Sequence, residues 1–274
     1  MTNPELPLDS GQTGKASGDT LSSRMAAHNL LEGVVRRSQT LDSLLDTEKA
    51  YRSLLSRDKG FCRMLVSTTL RRLGQIDNLI AQVEDKPGSI AKNPSLQNVL
   101  RLGVCQLFFM ATADHAALDT SVRLAERLGM ERQKGLVNGI LRNLQRTGQE
   151  LVPRQDAGRL NTPDWLLKTW IEDYGLREAA EIASANLVEA PLDITVKDKE
   201  SVNYWSANLQ ASSFPTGSLR MSAGGSVTDL QGFDDGMWWV QDASASIPAQ
   251  LFGDVKDRSV IDLCAAPGGK TAQL

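Results

Sequence analysis

The chain has 274 residues, 41% of them hydrophobic and 23% charged, with a net charge of −3. That is the balance of a soluble globular protein, with length enough for two domains. Its three cysteines, Cys62, Cys105 and Cys264, stand far apart without a C-x-x-C pair, which excludes a disulfide framework or a cysteine zinc site.

Residues 1–22 are rich in Pro, Gly, Ser, Thr and Asp and poor in large apolar groups. They bury too little surface to offset the entropy of ordering, so they read as a disordered tail. Neither a leader peptide nor an apolar run of membrane-spanning length is visible, so the expected location is the cytoplasm.

Helical periodicity begins near Ser23, with Met25, Leu30, Leu31, Val34 and Val35 on one stripe. Short helices are expected over residues 40–46 and 47–55. Asp58 reads as the N-cap of a helix through Leu73, stopped by Gly74. Ile76, Leu79, Ile80 and Val83 then recur at i, i+3, i+4 and i+7. Asn93-Pro-Ser95 opens a helix so apolar through Met110 that it should be the central buried one. Asp119 or Thr120 should cap a helix closed by Gly129, and a last helix covers residues 132–146. No alternation of strand type occurs from 23 to 150, so this part is an all-α bundle.

Residues 147–160 read as a polar linker. Thr162 and Pro163 open a helix expected to bury Trp165, Leu166 and Trp170. A second helix covers residues 176–186. Leu192–Val196 alternates like a strand, and residues 201–211 read as a helix with Trp205 and Leu209 inward. Short strand-like pieces follow at 214–215, 218–221 and 226–228. Trp238–Val240 is a strand, and residues 243–252 a helix capped by Asp242.

Val260–Leu263 reads as a strand entering a glycine-rich turn and a helix start, Cys264-Ala-Ala-Pro-Gly-Gly-Lys-Thr271. Glycines admit close approach of a ligand to backbone N–H groups, and a helix start adds partial positive charge. The phosphate-loop pattern G-x-x-x-x-G-K-[ST] fails because Cys264 stands where its first glycine should be. The dinucleotide pattern G-x-G-x-x-G fails because Gly268 and Gly269 are adjacent. A methyl-donor loop, which needs no phosphate nest, and an ordinary strand-to-helix connection both remain open.

Charge divides the chain. Residues 23–150 hold 19 Lys and Arg against 13 Asp and Glu, whereas residues 151–274 hold 10 against 17. Arg24, Arg36 and Arg37 on the first helix, with Arg71 and Arg72, form a candidate phosphate-binding surface. Scattered solubility charges are the competing reading. The two histidines, His28 and His115, lie far apart and read as structural or surface residues, with no metal site.

Asp262-Leu-Cys-Ala-Ala-Pro-Gly-Gly-Lys-Thr271 closely resembles the first S-adenosylmethionine (SAM) motif of RNA (cytosine-5)-methyltransferases. Trp239-Val-Gln-Asp-Ala-Ser244 resembles the segment preceding it. Asp58-Lys-Gly-Phe61, Leu100-Arg-Leu-Gly103 and Gly135-Leu-Val-Asn-Gly-Ile-Leu-Arg142 are similar to the NusB-like fold, which binds RNA in antitermination. Together they resemble the RsmB (Fmu/Sun) family, which methylates a cytosine of small-subunit ribosomal RNA. The resemblance implies a NusB-like bundle at 23–150, a small α/β subdomain at 151–229 and the start of a Rossmann-like SAM-methyltransferase domain at 230–274. It implies S-adenosylmethionine as cofactor and ribosomal RNA as partner of a monomer. Cys264, Ala265, Ala266, Pro267, Gly268, Gly269 and Lys270 would be the cofactor contacts, with Lys270 facing the methionine carboxylate. Enzymes of this family attack the pyrimidine with a cysteine and release the product with a second, both downstream of this motif. No catalytic residue is therefore assigned among the 274, and the polypeptide is expected to be a truncated, inactive one. A standalone NusB-like antitermination factor is the alternative.

Overall fold

The computed structural model describes residues 20–222 and 227–274. The expected tail lies outside them up to residue 19, while Thr20–Ser22 already belong to a helix. The chain divides into two compact units, the first ending at Leu187 and the second running from Val188 to Leu274.

Among its described residues the first unit holds helices and no strand. Its elements are α1 (Thr20–Arg37), α2 (Leu41–Thr47), α3 (Lys49–Arg52), α4 (Ser56–Arg71), α5 (Leu73–Val83), α6 (Pro94–Phe108), α7 (Asp114–Arg127) and α8 (Lys134–Leu151). Three shorter helices follow, α9 (Ala157–Asn161), α10 (Asp164–Tyr174) and α11 (Leu176–Ala185). Asn93 caps α6 by accepting the Leu96 N–H at 3.2 Å, with Pro94 at the first helical position where its missing N–H costs nothing.

Helix α6 is the axis of the core, as its composition requires: every residue from Asn98 to Leu107 is buried. Its polar members are therefore paired, since an unpaired buried polar group costs free energy. The Arg101 guanidinium donates to both carboxylate oxygens of Asp77 on α5, at 2.7 and 2.6 Å, and to Asn98 Oδ1 at 2.9 Å. Asn98 donates to Glu32 on α1 at 2.9 Å, and Gln106 accepts from the Arg24 Nε–H at 2.9 Å.

Several boundaries depart from the sequence reading. Asp58 lies inside the first turn of α4, which starts at Ser56 without a side-chain cap. Helix α7 starts at Asp114, and the hydroxyls of Thr120 and Ser121 bond back to carbonyls of the preceding turn instead of capping a start. Gly74 does not terminate a helix; it sits in the first turn of α5. Its place there is steric: a Cβ at Gly74 would fall 1.7 Å from the Leu160 carbonyl oxygen.

That contact also explains why 147–160 is not a linker. Helix α8 continues to Leu151, and residues 152–162 fold back onto α5. Gln75 donates its backbone N–H to Asn161 Oδ1 at 3.1 Å, and Gln155 donates to the Gln75 carbonyl at 2.9 Å. Amide side chains that look like linker residues in sequence thus serve as interhelical hydrogen-bond partners. Trp165, expected inward, is 70% exposed on α10.

Among its described residues the second unit is a four-stranded antiparallel sheet with two α-helices. Strand β1 (Leu192–Val196) pairs with β3 (Ser218–Met221) on one side and β4 (Trp238–Val240) on the other, and β3 pairs with β2 (Ser212–Ser213). Side-chain alternation gives the sheet two faces. Ile194, Val196, Leu219 and Trp238 pack with Trp205 of α12 (Val202–Asn208) and with Leu209. Asp193 and Arg220, register partners on the other face, lie towards α13 (Ala243–Gln250). Residues 214–215 lie outside the strands, and Val227–Asp229 is a single 3-10 turn. Ser226, the other end of that expected strand, lies outside the described residues.

The expected strand at 260–263 is not formed: Ile261 and Leu263 are 83% and 91% exposed. A strand needs a neighbour to take its backbone hydrogen bonds. Strand β4, expected to open a separate catalytic domain, is paired with β1, and 260–263 is paired with no strand of the sheet. The helix start beyond it is one 3-10 turn, Thr271–Gln273.

Replacing Gly74 by Ala is expected to lower the stability of the first unit by about 1–3 kcal/mol, the usual cost of overpacking. Urea denaturation followed by circular dichroism reads it, and an unchanged midpoint would contradict the Leu160 contact.

Candidate cofactor loop and basic surface

The glycine-rich loop is built on the C-terminal end of β4 and the start of α13. Asp193 fixes both. Its carboxylate accepts two hydrogen bonds from the Arg220 guanidinium, each 2.7 Å, and one from the Ala243 N–H at 3.1 Å. Its carbonyl accepts the Gln241 N–H at 3.0 Å. Arg220 holds the Asp193 carboxyl below the usual carboxylate range, burial opposes this, and the Ala243 N–H adds to it. Asp242 caps α13 from the Ser244 and Ala245 N–H groups, at 2.8 and 3.3 Å.

The loop is closed by one aspartate. Asp262 accepts the Cys264 N–H at 3.1 Å through one oxygen and the Thr271 hydroxyl at 2.6 Å through the other. Between those ends, Cys264, Ala265, Ala266, Pro267 and Lys270 are exposed, and Gly268 and Gly269 are half-buried. Gly268 has φ +109°, a left-handed conformation that only glycine adopts without strain, and the space where a side chain would stand is open. Lys270 is the loop's cation. The residues present fit a small donor with a carboxylate, bound against open backbone beside one lysine.

Gln241, which sequence reasoning passed over inside the quoted Trp239–Ser244 segment, is buried directly behind this loop. Its carboxamide oxygen accepts the Trp239 indole N–H at 3.0 Å. Its nitrogen donates to Gln273 Oε1 at 2.8 Å and to the Ala245 carbonyl at 3.3 Å. A glutamine directly after the Trp238–Val240 strand is the available sequence signal, but nothing in a single sequence names its partners.

The five arginines of the candidate basic surface separate by burial. Arg36 and Arg37 are exposed at the end of α1, with Arg36 paired to Glu32 one turn earlier. Arg71 is half-buried. Arg72 donates to Gln75 at 2.9 Å and to the Leu187 carbonyl at 3.2 Å, and its guanidinium lies 5.4 Å from the Phe109 ring centroid. Arg24 is only 6% exposed, stacked 4.6 Å from the Phe61 ring centroid, which removes it from any solvent-facing surface. Burial lowers the pKa of both Arg24 and Arg72.

Cys62 and Cys105 are fully buried, and burial pushes each thiol up to about 12, so both are neutral and inaccessible near neutral pH. Cys264 is exposed within the loop itself.

Residues 21–146 match the NusB family. The chain is 30% identical over 271 residues to the probable ribosomal RNA small subunit methyltransferase B of Synechocystis sp., covering 93% of this chain and 60% of that protein. It is 31% identical over 262 residues to ribosomal RNA small subunit methyltransferase B of Vibrio vulnificus, covering 92% and 61%. The Escherichia coli protein of the same name is 31% identical over 261 residues, covering 92% and 60%. The chain thus spans about 60% of the length of the curated relatives it matches. Among solved structures, the crystal structure of PH0851 superposes with a TM-score of 0.61 at 16% identity, over 99% of this chain and 61% of that one, a likeness of fold.

Replacing Asp193 by Asn is expected to destabilise the second unit near neutral pH. The native pair's contribution is complete above the ordinary aspartate value of about 4 and is lost as pH falls through the depressed folded value. The stability gap between native and variant should therefore shrink on acidification below pH 4. A gap independent of pH, measured by thermal melts across that range, would contradict the role given to the carboxylate.

Proposed function

We propose that this chain, a NusB domain joined to a glycine-rich loop and similar along most of its length to ribosomal RNA small subunit methyltransferases, is the RNA-holding and donor-loop part of such an enzyme. The observation that carries the reading is the pairing of that domain with an exposed loop, Cys264–Lys270, closed by Asp262 onto Thr271. S-adenosylmethionine would supply the methyl group. Ala265–Gly269 would meet its methionine end by backbone, and Lys270 would face its carboxylate.

The substrate is proposed to be carbon-5 of a cytosine in small-subunit ribosomal RNA, in the cytoplasm and with the protein acting as a monomer. That carbon is a poor nucleophile until a thiolate adds to the neighbouring carbon and turns the ring into an enamine. None of the three cysteines here is suited to that attack. Two are buried and neutral, and Cys264 lies in the donor loop. The thiols would come from the remainder of a full-length enzyme, and the 274 residues by themselves are proposed to transfer no methyl group. The antitermination-factor alternative accounts for the bundle but leaves the loop and the long similarity to methyltransferases without a role.

RNA would be held through phosphates by exposed basic groups, with Arg36 and Arg37 the first candidates and Arg71 beside them. Arg24 is excluded by burial. Arg72 is committed to Gln75 and Leu187, so only its remaining donors could serve. Phosphate contacts give affinity that falls with salt and carry no base information. Reversing Arg36 and Arg37 to Glu is expected to weaken binding of a ribosomal RNA fragment. The log–log salt slope should fall by about 1.4, at roughly 0.7 per lost contact on single strands. Filter binding between about 50 and 200 mM salt reads both, and an unchanged slope and affinity would remove this surface.

A further inference from the structure

We infer that Gln241 is the positioning residue of the glycine-rich loop: its carboxamide seats Gly269–Gln273 on β4 and α13, and thereby sets where the backbone of Gly268 and Lys270 stands. The inference rests on the donor-loop reading above and extends it to a residue outside the motif.

The carboxamide has one orientation. Its oxygen faces the Trp239 indole N–H, which can only donate. Its two N–H bonds go to Gln273 Oε1 and the Ala245 carbonyl, and a backbone carbonyl can only accept. Exchanging oxygen and nitrogen would set donor against donor at Trp239 and acceptor against acceptor at Ala245. The main chain of Gln241 is fixed in turn by its N–H to the Asp193 carbonyl.

The loop rests on this group at two points. Gln273 takes the hydrogen bond and returns another from its own nitrogen to the Ser246 carbonyl at 3.2 Å, which ties the end of the loop to α13. Gly269 stands directly on the carboxamide: a Cβ there would lie 3.5 Å from Gln241 Nε2 and 3.6 Å from Cδ. Asp262 closes the loop upon itself but does not bind it to the sheet; Gln241 links it to the end of β4, and the Gln273–Ser246 bond adds a tie to α13. A loop held only at its own ends would sample many positions, and a ligand would bear the entropy of ordering it.

Two variants test this. Gln241→Met keeps the side-chain volume and removes the hydrogen bonds. Gln273→Ala cuts that contact from the half-buried side, together with the bond to Ser246, and leaves the buried glutamine in place. Two readouts are needed: amide exchange over residues 264–273, and the rate at which iodoacetamide alkylates exposed Cys264 with and without S-adenosylmethionine. The expected result is exchange about tenfold faster in both variants, with exchange in β1 and β3 unchanged. The slowing of alkylation by S-adenosylmethionine expected in the native chain should be lost, and the double variant should loosen the loop by less than the sum of the two single effects.

Native exchange in the loop of both variants would overturn the inference, as would faster exchange with undiminished protection by S-adenosylmethionine. If S-adenosylmethionine gives no protection even in the native chain while the variants still loosen the loop, the donor reading fails and the seating by Gln241 stands.

Discussion

One buried carboxylate organises the second unit. Asp193 sits mid-sheet and accepts a two-pronged hydrogen bond from Arg220 on the neighbouring strand. It also accepts the first N–H of α13, and through its backbone it takes the Gln241 N–H where β4 ends. A buried charge is costly unless every lone pair finds a donor. The environment of Asp193 meets that condition only if β1, β3, β4 and α13 are all in place. The carboxylate therefore makes the position of α13 a consequence of the sheet, and the glycine-rich loop hangs from α13 and from the end of β4.

The first unit applies the same condition on a larger scale. Helix α6 is buried along most of its length, yet it carries Asn98, Arg101 and Gln106. Each is answered from a neighbouring helix: Arg101 by Asp77 on α5, Asn98 by Glu32 and Gln106 by Arg24, both on α1. Apolar packing alone would allow neighbouring helices to slide, whereas charged and amide partners at fixed positions fix their register. The same pairing decides what is left for RNA. Arg24 is used inside the bundle, whereas Arg36, twelve residues later on the same helix, keeps an exposed guanidinium. Helical position, not residue type, separates the structural arginine from the one able to meet a phosphate.

The helices were legible in the sequence where an apolar stripe met a punctuating residue, as at Asn93-Pro94 or at Gly129 with its φ of +75°. Strand β1 was legible from alternation, and β3 and β4 were read as short strand pieces. Reading failed where a residue's meaning came from a distant partner. Gly74 resembles a helix stop, but it is glycine because the Leu160 carbonyl occupies its Cβ space. Gln155 resembles part of a polar linker, but its amide, with that of Asn161, completes α5. Val260–Leu263 has strand composition, and composition does not supply a hydrogen-bonding edge. For the candidate site, the motif residues could be named from order alone. Gln241 and Asp193, which carry the loop, could not, because their roles depend on which main-chain groups end beside them.

The most direct measurement is photochemical cross-linking of S-adenosylmethionine labelled in its methyl group, followed by peptide mapping, with ATP as competitor. The account requires the label within residues 262–271, displaced by unlabelled S-adenosylmethionine and not by ATP. Label confined to other peptides, or displacement by ATP alone, would contradict it.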